Sequence, residues 1–207
     1  QAAIETTTDV HALEPEVVTR GGEPGMQKQP SRSERTVDRL YREGAELCRN
    51  GNVAAGLAKL AEVLAREPGH ADGRLLLATE LMRQGDILQA ASILDVGLEK
   101  FPQIWQWAQL RAQIAVNSGH IDRALEVLTL APPAVNAQPE YHALLAGVQQ
   151  RAGRHAEAVG TYHSVLGQHP ERGVWWMGLG ISLQALERTR EAGFAYSRAL
   201  EDSSLSP

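Results

Sequence analysis

Seven histidines, one cysteine and a pair of close glycines are the groups in this chain whose types could do chemistry. A helical metal site needs two histidines four residues apart beside a carboxylate, so that both imidazoles share a face. His11, His70, His120, His142, His155, His163 and His169 contain no such pair. Cys48 stands alone, which rules out an intramolecular disulfide or a cysteine metal cluster, and its position argues for no base partner. Gly178 and Gly180 in WWMGLGISL begin like a phosphate loop, but Leu183 fills the third glycine place and no strand pattern precedes them. They read as glycines of helix packing. No Gly-x-Ser-x-Gly elbow is present. The expectation is therefore no catalytic residue, no metal and no cofactor.

What recurs in this sequence is spacing. Gly51, Gly85, Gly119 and Gly153 lie 34 residues apart, and a small residue five places later returns as Gly56, Ala90, Ala124, Ala158 and Ala192. A proline closes the unit at Pro68, Pro102 and Pro170, with Asn136 and Ser204 in the corresponding places. A period of this length with small residues at set places and a terminal proline predicts a helix-turn-helix solenoid.

Five frames follow, 37–70, 71–104, 105–138, 139–172 and 173–206, each expected to fold as two antiparallel helices. Leu40, Gly44 and Leu47 make one apolar stripe at helical spacing, and Leu57, Leu60, Val63 and Leu64 make the next. Leu77, Ala78, Leu81, Ala90, Leu94 and Leu98 repeat the pattern, as do Ala108, Ala112, Ala115, Ala124, Val127 and Leu128. Pro132 and Pro133 are expected to end the sixth helix early, because proline removes a donor and restrains its predecessor. Glu187 replaces the turn glycine in the last frame, which makes that turn the irregular one. Trp107, Tyr141 and Trp175 share the third place of their frames and read as packing between units, while Trp176 reads as core.

These residues resemble the tetratricopeptide repeat family. The fifth unit shows Trp176, Leu179, Gly180, Leu183, Ala192, Tyr196 and Ala199, and the fourth shows Leu145, Ala146, Ala158, Tyr162, Val165 and Pro170, in the places of the family pattern. The resemblance covers about residues 37 to 200 and implies an all-α, right-handed superhelix of about five repeats whose first helices line a groove for peptides or proteins. The stretch PPAVNAQPEYHALLAGVQQRAGRHAEAVGTYHSVLGQHPERGVWWMGLGISLQAL is similar to the periplasmic repeat region of MSHA-type (type IV) pilus biogenesis proteins. That likeness implies a scaffold in pilus assembly, periplasmic and tethered through an upstream anchor. The alternative is a cytoplasmic adaptor or chaperone-like module that binds peptide termini.

The groove implied by the family is lined from places two, five, nine, twelve and thirteen of each frame. The candidate partner-binding residues are Tyr41, Leu75, Thr79, Met82, Gln106, Gln109, Gln113, Asn117, Gln150, Met177, Ile181 and Gln184, with Trp105 as a groove-edge contact. Amides both donate and accept, which suits a peptide backbone, and the leucine, methionines and isoleucine could take apolar side chains. The family's carboxylate clamp needs Lys and Asn at places five and nine of early units. Tyr41 and Ala45, then Leu75 and Thr79, stand there instead.

The composition, 43% apolar and 22% charged over 207 residues, is that of one globular domain. A net charge of -5 disfavours nucleic acid or an anionic membrane as the general partner. No apolar run of about 18 residues exists to span a bilayer. Residues 1–35 show no periodicity and read as a disordered linker or arm, with VHALEPEVV as a segment that could dock on a partner or in the chain's own groove. Residues 36–207 form the solenoid domain. The chain begins at Gln1, which is compatible with a removed upstream signal or anchor. Phe194 at the last unit is expected to stay exposed and to meet a partner or a second copy of the chain.

Overall fold

The computed structural model describes residues 31–201, and among these every regular element is an α-helix. In order they are α1 (Arg32–Arg49), α2 (Val53–Arg66), α3 (Ala71–Arg83), α4 (Ile87–Lys100), α5 (Trp105–Asn117), α6 (Ile121–Leu130), α7 (Pro139–Arg151), α8 (His155–Leu166), α9 (Gly173–Ala185) and α10 (Thr189–Leu200). Helices α3, α5, α7 and α9 begin on the first residue of their frames, so the 34-residue register is that of the structure. Ser204 and the segment VHALEPEVV lie outside the described residues.

The amino-terminal boundary needs correction. Helix α1 starts at Arg32, inside the stretch read as arm, because Ser31 and Glu34 form a reciprocal capping box that satisfies the first backbone donors. The Ser-x-x-Glu signature was visible in the sequence. It sets the start one turn before Val37.

Each hairpin closes on a residue in the left-handed region. Gly51, Gly85, Gly119 and Gly153 have φ between 74° and 85°, and Glu187 takes the same role at φ 60°. A side chain there crowds the following carbonyl, so Glu187 holds a strained turn. Glu187→Gly should stabilise the fold by about 1 kcal/mol, raising the melting temperature by about 2–4 °C. An unchanged or lower melting temperature would show that the turn carries no strain.

Packing within hairpins depends on small residues. Ala78, Ala90, Ala112, Ala124, Ala146 and Ala158 are completely buried, which lets paired helices approach until larger neighbours interlock. In the first hairpin the small residue is Gly56, where an added Cβ would lie 2.3 Å from Cys48 Sγ. Gly178 and Gly180 are packing glycines too: a Cβ would meet the rings of Tyr162 and Tyr196 at 2.4 and 2.5 Å.

Aromatic side chains join successive hairpins. Trp107 and Tyr141 are buried, and each reaches back to the preceding unit: Trp107 Nε1–H donates to Ala71 O at 2.9 Å and the Tyr141 hydroxyl to Leu128 O at 2.9 Å. Trp175 is buried at the same place, with the Arg172 guanidinium 4.7 Å above its ring. Trp176 departs from the reading as core. It is half-buried, donates from Nε1 to Pro170 O at 2.8 Å and stands edge-on to Phe194, because among the described residues no further helix covers that side. Phe194 is 62% exposed and Leu200 81%.

Burial pushes the Tyr141 phenol up to about 12. The fold holds the neutral form, whereas the unfolded phenol ionises near 10. The stabilisation is therefore whole below pH 10 and is lost as pH rises from 10 towards 12, about 3 kcal/mol in all. Tyr141→Phe should lose about 1 kcal/mol at neutral pH with the hydrogen bond, yet show a shallower alkaline decline in urea midpoints. Parallel declines would remove Tyr141 from the alkaline transition.

Candidate protein-binding groove

The concave side follows from which helices touch. Beyond neighbours in sequence, α1 packs on α3, α3 on α5 and α7 on α9, while successive second helices make no comparable contact. The first helices therefore crowd on the inside of the curve and the second helices fan out on its outside. At 100° per residue, places two, nine and thirteen of a first helix fall on one line. Asp72, Thr79 and Arg83 on α3 are exposed there, as are Val174, Ile181 and Ala185 on α9. Helices α1, α5 and α7 have the same line exposed or half-exposed.

The expected lining residues divide into those that remain open and those that are engaged. Gln113 and Asn117 are exposed, Gln106 and Gln109 half-buried, and Met177 and Ile181 are 43% and 46% exposed. Tyr41, Leu75 and Met82 are half-buried against the core. The Tyr41 ring lies 5.1 Å from that of His70, and burial, with Asp72 nearby, pushes its phenol above the ordinary value. Thr79 is exposed, but its hydroxyl donates to Leu75 O of its own helix at 2.8 Å.

Three residues serve the fold more than an open groove. Gln150 donates to Gly178 O at 3.1 Å and Ser182 Oγ at 3.0 Å, which ties α7 to α9. Gln184 accepts the Tyr196 hydroxyl at 2.7 Å within the last hairpin. Trp105, expected at the groove edge, stands edge-on to Tyr141 at 6.4 Å and is half-buried in the junction between units three and four. Its frame position could not reveal this, since the contact is made by a residue 36 places away.

A depression of the groove lies between α5 and α7, where Gln113, Val116, Asn117, Ala143, Leu144, Gly147, Val148 and Arg151 surround it. Helix α6 is shorter than α4, 10 residues against 14, and the 131–138 connection replaces its missing turn. That connection is held by His142, whose Nε2 lies 2.7 Å from Pro133 O. Helices α5 and α7 thus lack the direct packing that α3 has with α5. Ala143, Leu144 and Val148 were missed as lining. Ala143 was at a groove place, but the opening that reaches Leu144 and Val148 depends on the spacing of whole helices.

Elsewhere the chemistry is structural. Cys48 is buried, and burial, with Glu80 adding and Arg83 opposing, pushes its thiol above the ordinary range. Among the described residues no three His, Cys, Asp or Glu side chains come together as a metal cluster. Among them no helix is long and apolar enough to cross a membrane.

Tetratricopeptide repeat families match residues 47–114 and 144–207. The chain is built of tetratricopeptide repeats. Over 173 residues, 80% of its length, it is 27% identical to the peroxisomal targeting signal receptor of Saccharomyces cerevisiae, and it spans 28% of that receptor. The receptor of the same name from Candida albicans is 24% identical over 178 residues, 82% of this chain and 30% of the receptor. Among solved structures, a crystal structure of MamA protein superposes with a TM-score of 0.68 at 16% identity, over 82% of this chain and 92% of that one. MamA from Desulfovibrio magneticus RS-1 gives 0.64 at 16% identity, over 83% and 97%. At such identities the likeness is one of fold, a tetratricopeptide-repeat superhelix. Proteins built this way bind protein partners, and the pilus likeness has no counterpart in these matches.

Proposed function

We propose that this tetratricopeptide-repeat chain is a non-enzymatic scaffold that holds another protein in its concave groove, as a component of a type IV pilus assembly complex in the bacterial periplasm. The observation that carries the binding role is the alignment of exposed first-helix side chains on one inner surface, with amides at Gln106, Gln109, Gln113 and Asn117 beside an apolar depression. Amides at successive turns of α5 match the alternating donors and acceptors of a peptide backbone. The pilus assignment is supported by the sequence likeness of the carboxy-terminal half to pilus biogenesis proteins of the MSHA type.

A second reading, an adaptor that recognises a peptide signal, is favoured by the identity to peroxisomal targeting signal receptors. Two measurements separate the readings. An apolar span of about 20 residues encoded upstream of Gln1 would support the tethered periplasmic scaffold, and its absence would favour the adaptor. Capture of a pilus component by the immobilised chain should fall at least fivefold with Gln109→Ala plus Gln113→Ala. Equal recovery would reject those residues.

A further inference from the structure

We propose that the groove is electrically polarised across its width and takes an amphipathic helix of a partner protein, basic along one flank and acidic along the other. This rests on the concave face being the binding surface. Place two of the first helices carries Asp38, Asp72 and Glu140, and place thirteen carries Arg49, Arg83 and Arg151, all exposed. Asp72 and Glu140 lie in the first turn of α3 and α7, Asp38 lies in the second turn of α1 among Arg35, Arg39 and Arg42, and the arginines lie in the last turn of α1, α3 and α7. Eleven residues separate them, so the two rims stand about 16 Å apart, enough for a helix of about 10–12 Å diameter to lie between.

Helix dipoles favour this placement of charge, but they do not demand it. Helices α5 and α9 carry Gln106 and Asn117, then Val174 and Ala185, at the same places and are equally regular. Nor are most of these charges consumed by the fold. Arg83 pairs with Glu80 on its own helix at 2.6 Å and Glu140 faces Arg172 at 3.8 Å, but Asp38, Asp72, Arg49 and Arg151 have no ion-pair partner among the described residues.

The repeat of the rim selects a helix over an extended strand. Neighbouring first helices pack at about 8–10 Å, and seven residues of an α-helix advance about 10.5 Å and return to nearly the same face. A strand covers that distance in about three residues, which turns the side chain to the opposite face. Charges at heptad spacing on a helix therefore meet Asp38 and Asp72 in turn and pass the uncharged rim at α5, while the step to Glu140 is wider because α5 and α7 lack direct packing. The span from α1 to α7 is at least about 27 Å, or about 18 helical residues or more. Opposite rim charges also fix the direction of the bound helix, since reversing it would put like charges together.

The test is a displayed library of about 21-residue peptides on an alanine and leucine helical frame, with both flanks randomised among Lys, Glu and Gln, selected on the immobilised full chain. The expected winners carry Lys on one flank and Glu on the other. Their affinity should fall at least tenfold on Asp72→Lys and on Arg151→Glu, with smaller losses on Asp72→Asn and Arg151→Gln, which disturb the helix ends least. A central proline in the peptide should also cost at least tenfold. Winners of one charge sign, or winners that tolerate the proline, would overturn the helical partner while leaving the groove. Winners indifferent to all four substitutions would overturn the groove itself, and failure to enrich any peptide would overturn this proposal.

Discussion

Ala158→Arg is expected to abolish the folded fourth hairpin and to take the fifth with it. Ala158 is completely buried on α8 at the contact with α7. Forcing a long side chain into a close helix contact costs about 1–3 kcal/mol in strain. A buried guanidinium without a carboxylate adds several kcal/mol more. Stability in stacked repeats is close to a sum of unit and neighbour terms, so a lost fourth unit leaves α9 and α10 without their support. Circular dichroism should show about two fifths of the helical signal missing at 25 °C, with the first three hairpins still melting cooperatively. Ala156→Arg, at an exposed site on the same helix, should shift stability by no more than about 0.5 kcal/mol. A normal melting curve for Ala158→Arg would mean the repeat register is wrong.

Trp107→Ala should be the most damaging truncation in the first three repeat units. Its ring is completely buried, stands edge-on to Phe101 at 6.2 Å and lies under the Arg74 guanidinium at 4.8 Å. Removing such a side chain costs about 3–5 kcal/mol through lost burial and the cavity left behind. Two further effects add to this. Ala71 O loses its donor, and Arg74, a buried cation held by Ile93 O at 2.6 Å and Pro68 O at 2.9 Å, loses the ring that faces it. Trp107→Phe keeps most of the area and should cost only about 1–2 kcal/mol, largely the unmade hydrogen bond. Urea unfolding of the two variants checks the order. A loss below 1 kcal/mol for Trp107→Ala would show that the second and third units are not joined through this ring.

The recurrence of glycine and alanine at fixed places carried most of the fold. A small residue at a close helix contact and a glycine in a left-handed turn are local steric requirements, so they are written at each position independently. The same locality made the third-place aromatics readable as joints between units. The reading failed where position depends on several elements at once. Trp176 looked like core because the fourth place is core in interior units, but no helix follows α10 among the described residues to cover it. Gln150 and Gln184 looked like free amides, yet a neighbouring helix and a neighbouring tyrosine supply them with partners.

By itself the sequence determined the period, the helical hairpins and the side of each helix that must be buried. Those follow from backbone sterics and from apolar spacing within about 34 residues. Only the tertiary structure decided which inner-face side chains stay open and how wide the groove stands between α5 and α7. Such features depend on the relative placement of helices from different units, and small changes in a connection such as 131–138 shift that placement without altering any repeat's own pattern.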